Sequence, residues 1–226
     1  MHSCAFFAHP LLAAHDPGEV EVYAYADVAK PDAMTQRFMA AARHWRPTHR
    51  KSDETLAGMI RDDRIDVLID LAGHTAGSRL GVFARKPAPI QVNWLGYPGS
   101  TGLSAIDYRL TDAVADPPGA EADAVEQLVR LPDGFLCYEG PADAPDVSPS
   151  PAVAAKAVTF GCFNNAQKIT AEVVALWARA LRAAPTARLL IKAYRIERGN
   201  HRRRLEGLLA AHGVSPARID IRPQDR

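Results

Sequence analysis

The 226-residue sequence has no run close to the roughly 18 consecutive apolar residues that a bilayer span requires, so a soluble chain without a membrane partner is expected. Its apolar opening, SCAFFAHPLLAAH, lacks a positively charged lead and is interrupted by His9 and Pro10. It therefore reads as a core-facing helix rather than a signal peptide, with Ser3 as a candidate cap. Cysteine is scarce: Cys4, Cys137 and Cys162 are scattered and odd in number, which excludes a zinc or dithiol motif and fits a reducing cytoplasm. An excess of charge of either sign is missing too, at a net +1, so no nucleic acid is expected as a partner. The dense basic patch, Arg195, Arg198, His201, Arg202, Arg203 and Arg204, reads as the solvated face of a helix. No G-x-G-x-x-G follows any strand-like run, which counts against a dinucleotide-dependent oxidoreductase.

What is present is organised around residues 65–112, where two glycine-rich turns separate three short apolar runs. IDVLIDL is β-branched, short and stopped by Gly73, as a buried strand of a parallel sheet would be. GHTAG follows, then SRLGVFARK, a short helix closed by Pro87 and Pro89, then strand-like IQVNWL, the turn GYPGSTG, and a third strand, DYRLTD. Ligands of open α/β sheets bind at the carboxyl ends of the strands, so both turns are expected on one rim. Ordinary turn chemistry is the competing explanation for either turn alone.

Before this stretch, EVEVYAYA reads as a strand, PDAMTQRFMAAARHW as a helix with Met34, Phe38, Ala41 and Ala42 on one side, and TLAGMIRDDRI as another helix. The order helix, strand, helix, helix, strand is an α/β pattern. After it come a short helix near residues 120–127 and the strand-like QLVRLP. EGPADAPDVSPSP, poor in large apolar groups and dense in proline, reads as a linker or a long surface loop. A new strand–helix–strand then begins. VTFGCF is a strand; Thr170 can cap a helix with Val173, Leu176, Trp177, Ala180, Leu181 and Ala184 along one stripe; Ile169 can staple against Val174; RLLIKA returns. Lys168 stands just before that helix, where amides and the macrodipole favour an anion, although most lysines in such loops are merely exposed. NHRRRLEGLLAAHG is a helix and ARIDIRP a last strand.

The run DLAGHTAG, KPAPIQVNWLGYPGSTG, DY and TD resembles the catalytic region of the O-linked N-acetylglucosamine transferases, including the SPINDLY-like members, and the likeness extends over nearly the whole chain. FGCFNNAQKIT resembles the family's F-N-x-x-x-K-I segment, and HSCAFFAHPLL resembles the helix that follows its S-x-D-F-x-x-His turn, although the Asp-Phe and the strand before it are not in this sequence. The resemblance implies an α/β fold of two Rossmann-like lobes of the GT-B glycosyltransferase type, with the second lobe incomplete. It divides the chain into an N-terminal catalytic lobe at 1–138 whose first strand is missing, a linker at 139–153, and the start of a nucleotide-sugar-binding lobe at 154–226.

The implied activity is transfer of N-acetylglucosamine from UDP-N-acetylglucosamine to protein serine or threonine hydroxyls, with no cofactor or metal. Lys168 would contact the donor diphosphate and His2 would assist near the acceptor or anomeric centre. His74, Tyr97, Pro98, Gly99, Ser100, Asn165 and Gln167 would shape the substrate pocket. The expected partners are a UDP-sugar, a protein acceptor, and either a missing C-terminal half or a second copy joined through exposed sheet edges. A non-catalytic remnant or split fragment that binds a partner chain is the alternative.

Overall fold

A computed structural model describes residues 3–141, 143–194, 196–197 and 200–223. Contacts divide the chain into two compact units, Met1–Ala144 and Pro145–Arg226.

The first unit runs α1 (Ala5–Ala14), β1 (Tyr23–Ala26), α2 (Ala33–Ala41), β2 (His44–Pro47), α3 (Asp53–Asp62), β3 (Val67–Asp70), α4 (Leu80–Phe83), β4 (Ile90–Asn93), β5 (Tyr108–Thr111) and β6 (Gln127–Arg130), with a 3-10 turn at Ala120–Asp123. Every ladder is parallel: β1 pairs with β2, and β3, β4, β5 and β6 are neighbours in that order. Where helix caps were built from side chains they are strong. Asp32 and Thr35 form a reciprocal capping box at α2, and Ser52 accepts the Thr55 N–H at α3.

Three expectations change here. Strand β2 begins within the last two residues of the stretch expected to be one helix, so the order is helix, strand, helix, strand, helix, strand. The chain leaves the helical region at Ala42, whose ψ is 129°, and Tyr23 stacks on His44 at 4.1 Å across the new ladder. A bidentate Arg46–Asp63 pair then ties β2 to the end of α3. Ser3 is not the cap of α1; that position belongs to Cys4, which is already helical and makes no side-chain cap bond. Finally, β3 is not buried on both faces. Leu68 packs in a core formed by Leu56, Ala57 and Ile60 of α3 with Val82 and Phe83 of α4, and Asp70 is buried too, whereas Val67 and Ile69 stay 48% and 45% exposed. Those two helices pack on one face only, so the strand alternates.

The second unit contains α5 (Pro151–Ala155), β7 (Thr159–Cys162), α6 (Ala171–Ala183), β8 (Arg188–Ala193), α7 (His201–Ala211) and β9 (Ile219–Pro223), with the three strands parallel in chain order. Leu189, Ile191 and Ala193 alternate along β8 into a core shared with α6 and α7. Thr170 caps α6 through the Val173 N–H, and Ile169 and Val174 are both buried, as a hydrophobic staple requires. The buried stripe is Val174, Ala178 and Leu181; Leu176 is 58% exposed, one position around the helix from where it was expected. Arg218 donates to the carbonyls of Leu181 and Ala184, satisfying acceptors that the end of α6 leaves open. Among the described residues no helix is long and apolar enough to cross a membrane.

Candidate active site

The two glycine turns meet at the carboxyl ends of β3 and β4. Asp70, the last residue of β3 and 4% exposed, accepts the N–H groups of Ala72 and Gly73 at 3.0 and 2.8 Å and the Asn93 side-chain amide at 2.8 Å. These bonds fold GHTAG back over the strand end. Gly73 has φ +53°, and a Cβ there would come 2.4 Å from the Tyr97 Cβ. A Cβ on Gly96 would come 1.9 Å from the Leu71 carbonyl oxygen. Only glycine lets the backbones interlock this closely.

His74 crosses from one turn to the other. Its Nε2 lies 2.9 Å from the Thr101 carbonyl, which can only accept, so Nε2 carries the proton and donates. In the neutral ring Nδ1 is then left as an acceptor. The imidazole packs edge-on against Tyr97 at 5.2 Å and is solvent-exposed. That is the arrangement of a residue able to receive a hydrogen bond from a bound hydroxyl.

Ser100 is committed to bonds within the first unit. Its hydroxyl donates to Glu126 Oε2 at 2.8 Å and accepts the N–H groups of Gly102 and Val125 at 3.1 and 3.2 Å. Glu126 Oε1 takes the Thr101 N–H at 2.7 Å and the Thr101 hydroxyl. Burial alone would raise the Glu126 carboxyl, but the bonds from Thr101 and Ser100 outweigh it and hold it below the usual range. Pro98 and Gly99 border an open groove of about 670 Å³ shared with Asp116, Pro117 and Gly119. Beneath it Arg109 donates to the Pro98 carbonyl at 3.0 Å and to Asp116 at 2.6 Å, and Thr111 also donates to Asp116. The Asp116 carboxyl is likewise lowered, its bonds to Thr111 and Arg109 overcoming desolvation.

Neither Glu126 nor Arg109 was singled out from the sequence. The available signal was a charge inside a short strand-like run, as in DYRLTD, since a buried charge needs a built partner.

A carboxyl lowered on folding stabilises the protein above its unfolded pKa and loses that contribution as pH falls through the folded value. Stability of the first unit should therefore fall below about pH 4. Glu126→Gln, which places an amide NH2 against hydroxyl and amide donors, should cost about 1–3 kcal/mol near neutral pH and leave a shallower loss on acidification. Urea melts of both proteins near pH 7 and near pH 3 check this; equal stability at neutral pH, or parallel acid loss, contradicts it.

In the second unit Asn165, Gln167 and Lys168 lie between β7 and α6, in a 3-10 turn at Ala166–Lys168, and all three are exposed. Asn165 Oδ1 accepts the Gln167 N–H, and the N–H groups of Lys168 and Ile169 go to the carbonyls of Asn165 and Ala166. The turn thus uses its own amides, and the exposed Lys168 stands just before the start of α6. Arg204 braces the turn by donating to the Ile169 carbonyl at 3.0 Å. In the basic patch Arg202 pairs with Glu206 and Arg203 with Asn200. His2, Arg195 and Arg198 lie outside the described residues.

The family described as Glycosyl transferase family 41 matches residues 2–140, a span that contains both interlocked turns. The chain belongs to that family. It is 44% identical over 226 residues to the proteins named "Probable UDP-N-acetylglucosamine--peptide N-acetylglucosaminyltransferase SPINDLY" of Solanum lycopersicum and of Petunia hybrida, in each case over 98% of this chain and 24% of the relative. It thus spans about a quarter of the length of these curated relatives. A mutant form of Thermobaculum terrenum O-GlcNAc transferase has the same fold over all of this chain and 43% of its own, with a TM-score of 0.93 and 37% identity. The α/β class with Rossmann-like parallel sheets expected of the GT-B type is the one found. In this family 41 chain, the GHTAG and GYPGSTG turns that carried the resemblance approach each other closely at Gly73 and Gly96.

Proposed function

We propose that this family 41 chain forms part of the catalytic region of a cytoplasmic transferase that moves N-acetylglucosamine from UDP-N-acetylglucosamine to a protein serine or threonine hydroxyl. The family match over residues 2–140 carries the reading, and the relatives' names supply its donor and acceptor. Such a displacement needs the leaving diphosphate neutralised and a weak hydroxyl nucleophile assisted. Lys168, held beside the N-terminus of α6, supports the first role without a metal, because an ammonium and first-turn amides both favour an anion. His74, with Nδ1 as an exposed acceptor, Tyr97 and the Pro98–Gly99 rim support a substrate-binding role in the first unit, and Asn165 and Gln167 one in the second. His2 is assigned to the acceptor or anomeric centre by resemblance alone.

A titration of the isotope-labelled chain with UDP, followed by NMR, tests the donor half. The expected result is saturable movement of the amide signals of residues 165–174, much reduced in Lys168→Ala and weakened by salt, as an ion-paired diphosphate requires. Signals that stay still, or that move equally in Lys168→Ala, contradict the assignment of Lys168.

A further inference from the structure

In the first unit, Asn93 and Arg109 are 1% and 5% exposed, yet Asn93 Oδ1 and Arg109 Nε have no partner among the described residues. The two residues are register partners on β4 and β5, so their side chains leave the same face of the sheet side by side. Both line one cavity of about 10 Å³, together with Tyr97, Pro98, Thr111 and Asp116. A buried polar atom left alone is rare in folded proteins, and two beside one cavity point to something that joins them.

The chemistry of the pair limits what fits. Asn93 Nδ2 donates to Asp70 Oδ2 at 2.8 Å, and Asp70 receives two backbone N–H groups as well, so it is an acceptor and fixes which way the amide points. Asn93 therefore offers an acceptor to the cavity and Arg109 an N–H donor. A cation is repelled by the guanidinium, an anion by the amide oxygen, and a hydrocarbon satisfies neither. A molecule that donates once, accepts once and occupies about one probe volume is water.

We propose that one buried water molecule sits in this cavity, donating to Asn93 Oδ1 and accepting from Arg109 Nε. It completes a hydrogen-bonded row across the sheet: the Gly73 N–H and the Asn93 amide both donate to Asp70, Asn93 is joined through the water to Arg109, and Arg109 donates to the Pro98 carbonyl of GYPGSTG. The row ties the two turns to each other through the ends of β3, β4 and β5.

A crystal structure of the chain that resolves ordered water tests this. Density for one water within about 2.7–3.2 Å of both atoms is the expected result; a dry cavity, or Asn93 and Arg109 bonded directly to each other, overturns the proposal. In solution, magnetisation transfer from a long-lived water to the Arg109 Nε proton is expected in the wild-type chain and should be lost in Asn93→Leu, which removes the acceptor. No transfer in the wild type, or undiminished transfer in Asn93→Leu, overturns it. The crystal and wild-type measurements decide the matter even where the variant does not fold.

Discussion

Replacing Lys168 with alanine should lower sugar transfer about a hundredfold or more while leaving stability within about 0.5 kcal/mol. The side chain is exposed and the turn's own amides are satisfied without it, so little folding energy depends on the ammonium. What the substitution removes, on the proposed mechanism, is a positive charge beside a departing diphosphate, where one preorganised donor has its largest effect. Because the chain spans about a quarter of its curated relatives, the rate is best read in a chimera in which it replaces the matching quarter of the Solanum lycopersicum protein. Lys168→Arg keeps the charge and should recover part of the loss. Equal turnover in the Ala variant and its parent removes Lys168 from the mechanism; parallel loss of turnover and melting temperature makes it a structural residue instead.

The second large effect is expected at Gly96. An added Cβ meets the Leu71 carbonyl oxygen at 1.9 Å, its carbon at 2.8 Å and the Ala72 Cα at 3.2 Å, and all three are backbone atoms that cannot rotate away. Gly96→Ala must push the two turns apart, breaking the His74–Thr101 bond and the Gly73–Tyr97 contact with them. A cost at or above the top of the about 1–3 kcal/mol range for overpacking is expected, with loss of transfer in the chimera. Gly58 supplies the control: it lies inside α3 with nothing within 4 Å of an added Cβ, so Gly58→Ala should be neutral or stabilising by about 0.5–1 kcal/mol. Denaturant melts of the two variants separate the cases. Equal stability would mean that the turns do not interlock.

Much of this architecture was legible in the residues because local chemistry and burial agree there. IDVLIDL stops at a glycine, and the glycine is required by the neighbouring turn; Thr170 and Ile169 announced α6 because a cap and a staple are local devices. Strand β2 was hidden since HWRP follows a run of helix formers without a break, and its stability comes from non-local partners, the Tyr23 ring and Asp63. Arg109 and Glu126 were hidden for a related reason. Each matters through bonds to a loop many residues away, Pro98 for one and Ser100 and Thr101 for the other, and no local pattern encodes that pairing. The half-exposed face of β3 also escaped, because a β-branched run looks the same whether one face or two are covered.

The proposed function has this chain supply family 41 catalytic machinery that acts on a UDP-sugar and a protein hydroxyl. The chimera tests it most directly when offered a panel of nucleotide sugars and an acceptor peptide, with labelled sugar counted on the peptide. The account predicts transfer from UDP-N-acetylglucosamine ahead of the other donors, and transfer near background when Lys168 is alanine. Transfer that ignores the Lys168 substitution, preference for another nucleotide sugar, or no transfer from a chimera that folds would contradict it.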